Sequence, residues 1–199
     1  MTARDAIRAR IGPIHERLEE LPFAEALARG EVSREDYARL LTQLAHVHEA
    51  LERLAPPPAL GALHQACARA AHLRADLARL AAAPQPVLES TRELVESLDA
   101  AAAEAPALAG WLYVVAGSRL GAAALRAPLA RALGVEPEPG QGLDYHVVGA
   151  ESFPRRWLAL AATVDEVLTG PEDLLRCAEA ADDAMHRFYA VYDGLGRHR

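Results

Sequence analysis

SREDYARLLTQLAHVHEALERLAPPP, residues 33–58, carries both ends and the apolar face of one helix. Tyr37, Leu40, Leu41, Leu44, Val47, His48 and Leu51 recur at steps of three and four, which places them on one side of a 3.6-residue spiral. Ser33 followed three residues later by Asp36 has the form of a capping box. Pro56, Pro57 and Pro58 forbid continuation, because proline lacks the N–H and its ring collides with the preceding turn.

The same periodicity extends in both directions, and no stretch alternates at the two-residue period of a strand. Helices are expected at residues 13–20, 23–29 with Gly30 as the stop, 59–82, 87–104, 107–133, 153–168 and 171–192. Residues 136–150, EPEPGQGLDYHVVGA, have the only sustained loop chemistry. The expectation is therefore an all-α, globular bundle of seven or eight helices. It forms a single domain over residues 1–199, since no internal repeat and no shift of composition marks a boundary.

Composition supports helices and narrows the function. Apolar residues make up 51% of the chain but aromatic ones only 5%, an alanine- and leucine-rich mixture that favours helix over sheet. A formal charge of −7 without any Lys/Arg-dense run argues against a nucleic-acid or anionic-membrane surface and points to a small ligand or a protein partner. The opening MTARDAIRAR lacks the apolar core of a secretory signal, so a cytoplasmic location is expected. The apolar run at residues 105–116 falls short of the roughly 20 residues that span a bilayer and reads as a buried helix. Cys67 and Cys177, far apart and outside any CxxC, read as core thiols.

Among eight histidines, spacing selects few. His46 and His48 point to opposite sides of one helix, and His64 and His72, eight apart on the expected helix 59–82, stand too far apart to chelate together. His15 has more informative company: Ile11, Leu18 and Arg8 lie at offsets of four, three and seven, provided the helix runs through Gly12 and Pro13. An imidazole on an apolar stripe with a guanidinium two turns away suits a haem, whose iron takes a neutral imidazole and whose propionates need cations. On spacing alone, a packed or exposed histidine is the commoner case. Gly117-Ser118-Arg119-Leu120-Gly121 sits inside a strong helix, and two glycines four apart there ask for a close approach. Either a second helix or a flat ligand would satisfy that demand.

Together, in this order, the two constellations resemble the haem oxygenase family, in its bacterial branch, over most of the chain. Arg8 to His15 followed by FAEALARGEVSREDYARLLTQLAHVHEALE is similar to the family's proximal helix and the helix pair after it; HLRADLARL and LYVVAGSRLGAAAL are similar to a bacterial stretch and to the distal helix. The final third is a weaker match, carried by SFPRRWLAL.

The resemblance implies a biliverdin-producing oxidoreductase that opens haem with oxygen, releasing carbon monoxide and ferrous iron. It assigns His15 as the axial iron ligand and Arg8 as a propionate contact. Tyr113, Gly117 and Gly121 become haem-contacting positions, with Gly117, Ser118 and Gly121 forming the catalytic distal side. Arg155 and Arg156 are basic candidates at the haem edge that the sequence does not separate. Ser118 stands where animal members carry an aspartate, Ile11 where a threonine is common, and His48 where a tyrosine often reaches toward distal water. His48 joins that network, competes for the iron, or simply packs, the last being the commonest case for a histidine. Electrons would come from a reductase or ferredoxin-like donor, since no nucleotide-binding glycine motif occurs, and a phytochrome is a candidate acceptor of biliverdin. Two alternatives keep the fold: a haem carrier or sensor without turnover, and a non-haem helical binding protein.

Overall fold

The computed structural model describes residues 2–81, 83 and 85–197, and those residues form helices joined by short connections, with no strand among them. Helix α1 spans Ala3–Glu19 and starts on a capping box between Thr2 and Asp5; Pro13 lies inside it, so the expected start at residue 13 moves ten residues earlier. The continuity through Gly12 and Pro13 puts Arg8, Ile11 and His15 on one face. Helix α2, Pro22–Arg29, ends at Gly30 with φ +70°. A Cβ on Gly30 would also lie 2.6 Å from the Pro128 carbonyl oxygen, so that position needs glycine twice over. Helix α3, Arg34–Glu52, has the expected capping box, Asp36 N–H donating to Ser33 Oγ at 3.0 Å and Ser33 N–H to Asp36 at 3.1 Å. It ends before the prolines are reached.

Two expected long helices are each broken. Residues 59–82 become a 3-10 turn Pro58–Leu60, α4 at Gly61–Cys67 and α5 at Ala70–Leu80; Ala68 is extended at the break. No proline or glycine marks this point. The break is tertiary: the Ala70 N–H donates to Glu52 Oε1 of α3 at 2.7 Å, and Arg69 turns inward. His64 and His72 therefore sit on two helices, not on one. After α6, Glu89–Ala101, residues 107–133 divide into α7, Ala105–Ala124, and α8, Arg126–Leu133. Pro128 has no N–H for the Ala124 carbonyl, which ends α7 one turn earlier. The expected loop then contains a four-residue helix, α9, at Asp144–Val147. Phe153–Ala162 forms α10, Thr163–Val167 a second 3-10 turn, and Pro171–Gly196 the last helix, α11. These divisions and α9 account for eleven α-helical segments among the described residues, against the seven or eight expected.

One continuous core runs through α1 to α11. Its axis is the pair α7 and α11. Leu108 to Ala116 of α7 are all buried, and a helix apolar on every side must be surrounded by protein. Although α7 is long and apolar enough to match a membrane span by composition, it is the central helix of this core. Gly110 permits the closest backbone approach: a Cβ there would lie 2.2 Å from the Cys177 carbonyl oxygen of α11. Both α1 and α7 pack extensively along α11 and touch each other little, which separates them as two walls on one support.

Candidate functional site

The two faces of α1 have different tasks. Ala3, Ile7 and Ile14 are buried, and Arg10 and Arg17 reach α11, Arg10 lying 3.7 Å from Asp182 and Arg17 over the Tyr189 ring at 5.1 Å. Arg8 and His15 point the other way and are exposed. The His15 imidazole is 53% exposed, and its polar neighbour is Glu19, 3.6 Å from Nδ1. A carboxylate beside Nδ1 favours the tautomer in which Nε2 has a lone pair to offer a metal.

The wall opposite α1 is the second half of α7 with α10. Burial raises the Tyr113 hydroxyl of α7, and Arg8 and Arg4 of α1 lie near enough for their charge to oppose that rise. Ala3 N–H donates to Asp165 at 2.9 Å, tying the start of α1 to the turn that follows α10. Beyond Ala116 the helix emerges: Ser118, Leu120 and Gly121 are exposed, and a Cβ on Gly121 would meet nothing within 4 Å. Gly117 differs. A Cβ there would lie 3.2 Å from Trp157, whose indole also packs against Tyr113 and Phe153 at centroid distances of 5.1 and 5.9 Å. Of the two readings of the paired glycines, close helix packing describes Gly117, while Gly121 faces open space. Arg155 and Arg156 precede Trp157 on α10, both exposed, and Leu158 just after it is 61% exposed.

Behind α7 lies a buried polar cluster that sequence reasoning missed except for His48. His48 is 2% exposed, with Nδ1 2.6 Å from the Cys67 carbonyl oxygen and Nε2 3.4 Å from the Tyr145 hydroxyl. The interior takes up both nitrogens, so His48 does not compete for a metal. Its neighbours come from the supposed loop. Asp76 accepts the N–H groups of Asp144 and Tyr145 at 2.7 and 2.9 Å, and Arg69 donates to the carbonyls of Asp144, Tyr145 and Val148 at 2.8, 2.7 and 3.1 Å. His146 Nδ1 meets the Ala122 carbonyl of α7 at 2.9 Å. The aromatic pair inside LDYHV, within a glycine- and proline-rich stretch, was the available signal that residues 136–150 fold inward.

This cluster predicts an acid weakness. Burial pulls both His48 and His146 down to about 4 from the ordinary 6.5, and it pushes Asp76 up to about 6 from 3.8. As pH falls through 6.5 the unfolded chain protonates both histidines while the fold does not, so their contribution is complete above 6.5 and lost between 6.5 and 4. Asp76 acts oppositely, shedding a burial penalty as pH falls from about 6 toward 3.8. Two histidines outweigh one carboxyl, and stability is expected to fall by roughly 2 kcal/mol between about pH 7 and about pH 5. Thermal melts at those two values check it; an equal or higher melting temperature in acid would show the histidines to be protonated in the fold.

Residues 1–193 match the family model described as heme oxygenase. The chain is 31% identical over 179 residues to heme oxygenase PigA of Pseudomonas aeruginosa, covering 87% of this chain and 83% of that protein. The heme oxygenase of Leptospira interrogans superposes with a TM-score of 0.80 at 17% identity, covering 98% of this chain and all of that one. Heme oxygenase-1 of Synechocystis, solved with heme, gives 0.82 at 16% identity, covering 98% and 92%. At those identities the structures speak for the fold.

Proposed function

The chain belongs to the haem oxygenase family, enzymes that open haem to biliverdin, and from that premise we propose how its own residues hold and position the substrate. Haem lies between α1 and the exposed half of α7, with His15 Nε2 as the iron ligand. The observation that supports this reading is the separation of those two helices along α11, with an accessible imidazole on one and an unshielded glycine on the other. When bound, haem supplies the iron at which oxygen is reduced and the ring carbon that is oxidised.

Arg8 balances one propionate beside Tyr113, and the exposed guanidinium of Arg155 or Arg156 balances another at the α10 edge. Gly121 leaves room for oxygen over the ring, Gly117 lets Trp157 close the inner end of the slot, and Ser118 offers a hydroxyl between them. Residues 1–199 act as one cytoplasmic domain that uses oxygen and takes electrons from a reductase or ferredoxin-like protein. Its biliverdin passes to an acceptor such as a phytochrome.

Haemin titration followed by ascorbate in air tests the reading. One equivalent bound with a histidine-ligated spectrum, then loss of the Soret band as biliverdin absorption grows, is the expected course. Binding without conversion under a competent donor would make the chain a carrier, and absence of binding would remove haem from the site. Gly121→Val tests the distal wall. Because a side chain there meets open space, the haem-free fold is expected to keep its melting temperature. Turnover is expected to fall about tenfold or more, since displacing a reactant by about 1 Å costs that much. Normal turnover would move the distal face away from Gly121.

A further inference from the structure

We propose that the Trp157 indole of α10 is the wall at the inner end of the slot on which one edge of haem comes to rest, and so the residue that decides which side of the ring lies under Gly121. The proposal rests on the haem oxygenase reading above.

On α10 the side chains of Phe153, Trp157, Leu160 and Ala161, at offsets of four, seven and eight from the first, share one face. Phe153, Leu160 and Ala161 are 2%, 6% and 1% exposed, whereas Trp157, the largest of the four and the middle of the stripe, is only partly buried. The bulkiest member of an inward face is thus the one that keeps apolar surface accessible. The helix it meets is open at the same place. Cη2 and Cζ2 of the indole lie 3.2 and 3.3 Å from where a Cβ on Gly117 would stand, Gly117 is itself partly exposed, and Gly121, one turn on along the same face, is exposed. An aromatic edge beside two glycines presents a flat apolar surface, which suits a planar ring.

The indole is also held still. Tyr113 packs against it at a centroid distance of 5.1 Å and Phe153 at 5.9 Å. Phe153 lies in turn under the Arg119 guanidinium, 4.1 Å away, and Arg119 donates to the Ala66 carbonyl at 3.3 Å. A wall fixed by two rings and a helix backbone discriminates between seatings to which a mobile side chain would adapt. The charges around the slot do not make that choice. Haem approximates fourfold symmetry about its iron, so a turn in its own plane exchanges the bridging carbon that faces the distal side. Arg8 on α1 and Arg155 and Arg156 on α10 are exposed, and long guanidinium stems follow the propionates through several such turns. Selection among them falls to shape, and the one rigid aromatic surface at the glycine face of α7 is Trp157.

Trp157→Leu removes the wall, and Trp157→Phe keeps a smaller one. The haem methyl proton resonances of the ferric cyanide complex report the in-plane orientation of the ring without any turnover. In Trp157→Leu the populations of the seatings they resolve are expected to change by about tenfold, the discrimination a pocket loses with a small change of shape, and the mixture of biliverdin isomers is expected to change with them. Trp157→Phe is expected to fall between that variant and the parent. A second measurement needs no destabilising variant. The chain has two tryptophans, so the Trp157 indole N–H signal is the one missing from Trp157→Phe. On titration of the parent with gallium protoporphyrin, the ring current is expected to shift that signal more than the signal of Trp111, which is 1% exposed in the core. An unchanged methyl pattern and isomer mixture in both variants overturns the proposal. So does a lower melting temperature or weaker haemin binding with the parent's methyl pattern, which would make Trp157 structural. If the parent binds neither haemin nor gallium protoporphyrin, the functional reading fails and takes the wall with it. If the parent binds the ring and the Trp157 signal moves no more than that of Trp111, the wall alone is overturned.

Discussion

Gly110→Ala is expected to be the most damaging single-methyl change in this fold, costing about 3 kcal/mol. The added Cβ would stand 2.2 Å from the Cys177 carbonyl oxygen and 2.9 Å from the Ala181 nitrogen, both backbone atoms of α11. A flexible side chain could swing aside, but backbone in a 26-residue helix moves only with the helix. That helix also supports α1, so relieving the clash would disturb both walls of the site. For a domain of this size such a loss lowers the melting temperature by roughly 6–12 °C. Calorimetry of Gly110→Ala beside Gly61→Ala, where a Cβ meets nothing within 4 Å, separates contact from helix propensity. A melting temperature within about 2 °C of the parent would mean that α7 and α11 are farther apart than described.

The all-helical class was legible because it is written locally. In α3 the capping box and the three-and-four spacing act within one or two turns, and Gly30 stops α2 through its own backbone freedom. What was not legible depends on distant partners. The break at Ala68 and Arg69 exists because Glu52 receives the Ala70 N–H and because Arg69 finds carbonyls some 75 residues away. Read by itself, that segment is a good helix former from end to end. Pro128, by contrast, was a local signal that the run of helix-forming residues around it outweighed.

The site divides along the same line. Spacing within one helix made His15 and Arg8 candidates, and cost within another drew attention to the paired glycines, while the roles proposed for them came from the family resemblance. Trp157, which covers Gly117, and Tyr145, which meets His48, reach their places only through folding. Neither stands in a pattern whose period says what it faces. Patterns held within a single helix were therefore readable, and contacts assembled between helices were not.

His15→Ala is expected to leave the fold almost untouched and to remove most of its affinity for haemin. The imidazole is 53% exposed with only the Glu19 carboxylate nearby, at 3.6 Å, so its loss should change stability by no more than about 0.5 kcal/mol. Haem binding is another matter. Apolar contact and the charges of Arg8, Arg155 and Arg156 would remain, but the coordinate bond would not, and affinity is expected to fall about a hundredfold or more. Ring opening is expected to cease, because the imidazole that would hold the iron in the slot is gone. The space left by the missing ring opens to solvent, so added imidazole should enter it and restore both the histidine-type spectrum and part of the turnover. That rescue distinguishes lost ligation from a disturbed slot. If His15→Ala binds haemin with the parent's spectrum and affinity, the ligand is another residue and the orientation of haem between α1 and α7 has to be redrawn. If affinity falls and imidazole restores nothing, His15 shapes the slot without bonding the iron.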